Sequence, residues 1–140
     1  MIEIPKKYEE RIVAHGEREY PYECVGFMYG LRENGTVRVR EVLEIDNHAT
    51  ENKRRRFQVL PMDYLKAERY AEEHELELIG VYHSHPDHPA RPSEHDRVQA
   101  MPVFSYVIVS IKEGKGADIT SWRLDDTHEF QAEELQIENE

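Results

Sequence analysis

At 140 residues the chain is long enough to bury one hydrophobic core and too short for two ordinary ones, so a single domain over residues 1–140 is expected. A formal charge of −11 and a pI near 5.2 exclude a protein that holds nucleic acid through clustered Lys and Arg. The lone cysteine, Cys24, excludes an internal disulfide and any zinc site built from several cysteines, and it suits a reducing compartment.

Residues 1–20 are dense in charge and lack the apolar run of a signal peptide, and no stretch approaches the length of a membrane span. A cytoplasmic protein with no membrane partner is expected. Pro5 sits where a first helical turn tolerates proline, and Ile4, Tyr8, Ile12 and His15 recur at three- and four-residue steps, which predicts a helix over 5–19. Glu23 then opens an apolar run, 24–30, of strand length. A carboxylate at the mouth of a buried strand is unusual. Asn34-Gly35 can take the positive φ of a tight hairpin, and the alternation of Val37, Val39, Leu43 and Ile45 with charged residues predicts a partner strand with one wet face.

Residues 46–56 form a polar loop ending in Lys53-Arg54-Arg55-Arg56, a run that fits either a solvated surface or a docking patch for an acidic partner. A short strand is expected over 57–60 and a helix over 61–75, its inward stripe being Tyr64, Ala67, Tyr70, Ala71 and His74. The run 76–82, apolar apart from Glu77 and Gly80, predicts a central strand that delivers His83 and His85. The loop 86–92 holds Pro86, Pro89 and Pro92 and is stiff. A short helix from Ser93 to about Met101 follows, then a buried strand at 106–109, a turn at 114–116, and a returning strand at 119–124 with Trp122 inside. The acidic segment 125–140 alternates weakly and is assigned an edge strand. The mixture of elements, with at least one antiparallel hairpin, gives an α+β or mixed α/β class, a mixed sheet flanked by helices.

His83 and His85 lie at i and i+2 on a strand, so both imidazoles project from one face. Ser93 and Asp96 share a face on the first turn of a helix. Two imidazoles and one carboxylate would leave a tetrahedral zinc ion one position for water, the pattern of catalytic zinc sites. Each half has a plainer explanation when taken alone. A His-x-His pair also occurs at ordinary strand ends, and Ser93-x-x-Asp96 fits a helix capping box. The cap, however, does not account for the histidines upstream.

His83-x-His85, seven residues, then Ser93-x-x-Asp96, with Glu23 upstream, resembles the signature of the JAMM/MPN+ metallopeptidase family, and the order of elements resembles that fold over most of the chain. The resemblance implies that His83, His85 and Asp96 bind one zinc ion with water as fourth ligand. It further implies that Glu23 is the general acid/base and that Ser93 helps hold the oxyanion. A carboxylate in a pocket suits amide hydrolysis, which needs one group to take a proton from water and later give one to the leaving amine. His88 and His95 are set aside as ligands, and Cys24 reads as a buried, inert thiol.

Only residues 97–104 separate Asp96 from the next strand at Ser105, which leaves no room on that side for a large insertion of the kind that grips ubiquitin chains. The compact form resembles prokaryotic-type members that act on ubiquitin-like sulfur-carrier proteins with Gly-Gly tails, so such a carrier is the substrate partner the resemblance implies. A homo-oligomer is compatible with the chain. The alternative is a non-catalytic MPN-type scaffold that binds a protein partner; such relatives usually lack part of the ligand set, whereas every element stands here.

Overall fold

The computed structural model describes residues 1–139. In chain order it contains β1 (Ile2–Pro5), α1 (Lys6–Glu19), β2 (Val25–Glu33), β3 (Thr36–Ile45), α2 (Pro61–Glu73), β4 (Glu77–Pro86), α3 (Glu94–Gln99), β5 (Ser105–Lys112), β6 (Lys115–Leu124), β7 (Phe130–Glu133) and β8 (Leu135–Glu138). The strands form one mixed sheet in the order β7-β6-β5-β4-β2-β3-β1-β8, with β4–β5, β1–β3 and β1–β8 parallel and the other pairs antiparallel. The expected mixed α/β class holds. The outermost strands β7 and β8 are separated in sequence only by Glu134, whose carbonyl accepts from the Ile2 N–H at 2.8 Å, so the sheet curls until its two edges meet.

The central strands β2 and β4 are buried along most of their length, and their side chains alternate between two cores, with a register shift opposite Met28 and Tyr29 changing the phase of β4 between Ile79 and Val81. On one side Met28, Ile79 and Tyr82 pack with Ile2, Ile4 and the α1 residues Tyr8 and Ile12. On the other, Val25, Phe27, Tyr29 and Val81 pack with Phe57 and with Ala67 and Ala71 of α2. Helices thus cover both faces, which explains why these strands read as continuous apolar runs.

Two glycine positions set the geometry. Asn34 and Gly35, at φ of 50° and 80°, close the β2–β3 hairpin as the sequence predicts. Gly26 faces Tyr82, where a Cβ would stand 2.2–2.3 Å from ring carbons and 2.4 Å from the hydroxyl, so only glycine lets the buried tyrosine lie across β2. Tyr82 is fixed from the other end by a 2.7 Å hydrogen bond between its hydroxyl and Nδ1 of His15 on α1.

Several local expectations need correction. Ile4 belongs to β1, because its backbone pairs with β8 while its side chain still enters the core. Residues 57–60 are not a strand: Phe57 is buried, but the backbone of this segment lies outside the sheet and is held by Asn47 and Gln99 side chains. His74 caps the end of α2 and is exposed, stacked on Tyr70 with Nδ1 against the Tyr70 carbonyl, rather than facing inward. Trp122 is only half-buried, its indole N–H donating to Thr120 Oγ1 at 2.8 Å. The assigned C-terminal edge strand is two strands, one at each edge of the sheet.

Candidate metal centre and its buried carboxylate

Strand β4 places His83 and His85 on the α2 side of the sheet, and its partners hold it in register: His83 lies opposite Val25 of β2 and Ile108 of β5. Beyond the end of that ladder, Ser84 continues the link to the chain before β2. Its N–H donates to the Cys24 carbonyl at 3.2 Å and its Oγ accepts from the Cys24 N–H at 2.8 Å. Cys24 therefore turns into the α1-side core and Glu23, one residue earlier, faces the histidines.

Nε2 of His83, Nε2 of His85 and Oδ2 of Asp96 form a triangle with all three sides at 3.2 Å. Ligands at about 2.0–2.1 Å around a tetrahedral zinc ion stand about 3.3 Å apart. The donor set and spacing fit zinc. The three residues are 0%, 1% and 4% exposed. Nδ1 of His85 lies 2.8 Å from the Pro89 carbonyl and must carry the proton there, which leaves the Nε2 lone pair for the triangle. His83 is held by its ring contact with Phe57, centroids 4.5 Å apart.

The two roles that the sequence left competing for Asp96 are compatible in one geometry. Its N–H donates to Ser93 Oγ at 3.1 Å, and its Oδ2 accepts from the Ser93 N–H at 2.9 Å, a complete capping box that starts α3 and aims the carboxylate at the histidines. Burial works to raise the pKa of Asp96, but His83, His85 and the Ser93 N–H outweigh it and hold the carboxyl well below the usual range. It stays an anion at neutral pH.

Glu23 is 1% exposed, and among the described residues neither of its carboxylate oxygens has a hydrogen-bond partner. Burial, reinforced by the charge of Asp96 and opposed by Arg55, pushes its carboxyl up to about 9. An unpartnered buried carboxylate is costly for folding alone and is the kind of group expected where protons move. It lines a groove of about 900 Å³ between the end of α1 and the loop after β3, with Tyr22, Asn47 and Lys53 among the other walls.

The sequence singled out these five residues, and the fold brings them together. It also reveals supports that no local pattern marks. The Asn47 side chain donates to the carbonyls of Glu23 (3.1 Å) and Arg56 (3.0 Å) and accepts from the N–H groups of Ala49 (2.9 Å) and Gln58 (3.1 Å). The Glu23 N–H in turn donates to the Lys53 carbonyl at 2.8 Å. The loop 47–58 is thereby pinned to the backbone of Glu23 on both sides, with its basic run beside the carboxylate. An asparagine in a polar loop carries no sequence signal for this role.

The residues set aside divide. Cys24 is buried, and burial pushes its thiol up to about 12, so it is inert as expected. His95 sits on α3 beside Asp96, half-buried and outside the triangle. His88 is also outside the triangle but is much nearer than its place on a proline-rich loop suggests, stacked on His85 with ring centroids 4.1 Å apart.

Among curated proteins the chain is 34% identical over 108 residues to a probable TtuB-protein conjugate cleaving protease of Thermus thermophilus, covering 77% of this chain and 69% of that one. It is 29% identical over 116 residues to a desampylase of Pyrococcus furiosus, covering 83% and 76%. Among solved structures, a Desulfitobacterium hafniense protein determined in solution superposes with a TM-score of 0.87 at 29% identity, covering all of this chain and 94% of that one. The model of the prokaryotic homologues of the JAB domain matches residues 5–125, which hold strands β2 to β6, the three helices and every residue of the site, and the chain belongs to that family.

Proposed function

We propose that this protein is a zinc-dependent peptidase that hydrolyses the amide bond after the C-terminal Gly-Gly of a ubiquitin-like, sulfur-carrier type protein. The observation that carries the reading is the 3.2 Å triangle of His83, His85 and Asp96 facing a buried carboxylate that nothing else satisfies. A zinc ion held by the triangle would supply a Lewis acid and bring the pKa of bound water towards about 7.

The chain's own residues account for the rest. Glu23 takes a proton from water on one of its free oxygens and hands it to the nitrogen of the leaving amine. Water adds to the carbonyl carbon, the C–N bond breaks, and the products are a carboxylate and an amine. Ser93 spends an Oγ lone pair on the Asp96 N–H, so its hydroxyl proton remains available to an oxyanion. The Pro89 carbonyl keeps the His85 ring in one tautomer throughout.

The names of the two relatives support a ubiquitin-like conjugate as substrate. Strand β4 lies between β2 and β5, so the sheet offers no free edge at the site. An extended tail would instead lie against the segment 49–57, outside the sheet, with small glycines passing closest to Glu23. The scaffold alternative has no use for a complete ligand set with an unpaired carboxylate beside it.

The test is incubation of the zinc-loaded protein with conjugates of candidate Gly-Gly carriers, read by mass. Release of the carrier with a free C-terminal carboxylate, lost in Glu23→Gln, is expected. Conjugates left intact by wild type and Glu23→Gln alike, at one bound zinc per chain, would overturn the proposal.

A further inference from the structure

Glu23, His85 and His88 form a second group whose potential ligand atoms all lie within 4.8 Å of one another. It overlaps the triangle only at His85, and that residue is fully committed, with Nε2 facing Asp96 and Nδ1 on the Pro89 carbonyl. His88 is not. Its Nδ1 lies 2.8 Å from the Pro86 carbonyl and must donate, so the lone pair is on Nε2. The stack on His85 and a 2.9 Å hydrogen bond from Ser110 Oγ to the His88 carbonyl fix the ring where it stands.

Across from it, Glu23 presents two buried oxygens with no partner. Tetrahedral ligands of one zinc ion stand about 3.3 Å apart, and the ligand atoms of Glu23 and His88 lie within 4.8 Å of each other, so a small side-chain movement closes the pair around an ion. Glu23 lines the large groove, and His88 lines a separate cleft of about 550 Å³ with Asp87, Pro89 and Ser110.

We infer that Glu23 and His88 form a second, weaker zinc position beside the first, and that filling it at excess metal switches the enzyme off. The off-switch deepens the proposed peptidase reading and rests on it; the metal position does not. A carboxylate that ligates a cation no longer accepts a proton from water, so occupancy would remove the base without disturbing the three ligands of the first site. Two protein ligands in place of three make the second position weaker, and the first fills before it.

The test is equilibrium dialysis of the full chain against buffered zinc, with bound metal measured per chain. Wild type is expected to take one equivalent, then a second at a free zinc concentration about tenfold or more higher. Glu23→Gln and His88→Phe, the latter keeping a ring to stack on His85, are expected to stop at one; His88→Asn serves if the phenylalanine variant does not fold. Cleavage of a conjugate by wild type should fall as the second equivalent binds, while the ratio of rates at low and high zinc stays flat in His88→Phe. Saturation of wild type at one equivalent, or a second equivalent that persists in both His88 variants, would overturn the inference. Two equivalents with no cleavage at any zinc concentration would reject the peptidase and its switch but keep the metal position. Cleavage with a single equivalent would do the reverse.

Discussion

Replacing Glu23 with glutamine in metal-stripped protein tests the central electrostatic claim. Glutamine preserves the size of the side chain and removes its charge. In the folded chain the wild-type carboxyl titrates at about 9 against an ordinary 4.5, so between those values the folded state keeps a proton that the unfolded state releases. Because the folded pKa is raised, the stabilisation is complete below about pH 4.5 and drains away as pH climbs towards 9. The loss is about 1.4 kcal/mol per pH unit, or about 3 kcal/mol by pH 7. The Glu23→Gln variant has no such slope. Urea unfolding of both proteins from about pH 5 to about pH 8.5 should show the variant gaining on wild type by that amount per unit, and the subtraction cancels the other titrating groups. The gap should shrink in zinc-loaded protein, where a cation stands near the carboxylate. Parallel curves in the metal-free pair would mean that Glu23 ionises without penalty, and the buried, unpartnered carboxylate would be the wrong description.

Other substitutions probe the supports. Ser93→Ala removes the cap of a six-residue helix and is expected to cost about 1 kcal/mol in unfolding experiments and to slow cleavage about 100-fold, whereas Asp96→Asn keeps an acceptor for the Ser93 N–H and should chiefly lose zinc on dialysis. Asn47→Ala strips partners from two carbonyls and two N–H groups at once; a loss of about 2 kcal/mol is expected, together with faster proteolysis within residues 47–58 and a lower kcat. Unchanged proteolysis would show that the loop does not depend on this side chain. Gly26→Ala drives a methyl into the Tyr82 ring and should cost about 1–3 kcal/mol, seen as a lower Tm, with Tyr82→Phe unable to relieve it because the clash includes ring carbons.

The residue chemistry of the site was legible in the sequence because it is carried by short, regular elements. A strand places His83 and His85 on one face whatever the rest of the fold does, and a capping box fixes Ser93 against Asp96 within a single helical turn. The two helical faces, the Asn34-Gly35 hairpin and the central apolar strands were equally local, since each follows from a period or a turn residue within a dozen positions. Errors arose where long-range pairing overrides local pattern. Ile4 continues the spacing of α1, yet β8, more than a hundred residues away, recruits it into a strand, and Phe57 enters the core from a segment with no sheet partner.

What only the tertiary structure decided is how the pieces face one another. Ser84 and Cys24 bond across the end of β2 and β4 and so bring Glu23 to His85 from sixty-odd positions away. Asn47 ties a polar loop to the backbone of that same glutamate, and the return of the proline-rich loop over β5 turns His88 from a bystander into a neighbour of both. Side-chain identity and local periodicity determine which atoms can bind a metal or move a proton. Whether a carboxylate is left buried and unpartnered depends on everything packed around it, and that is a property of the closed fold alone.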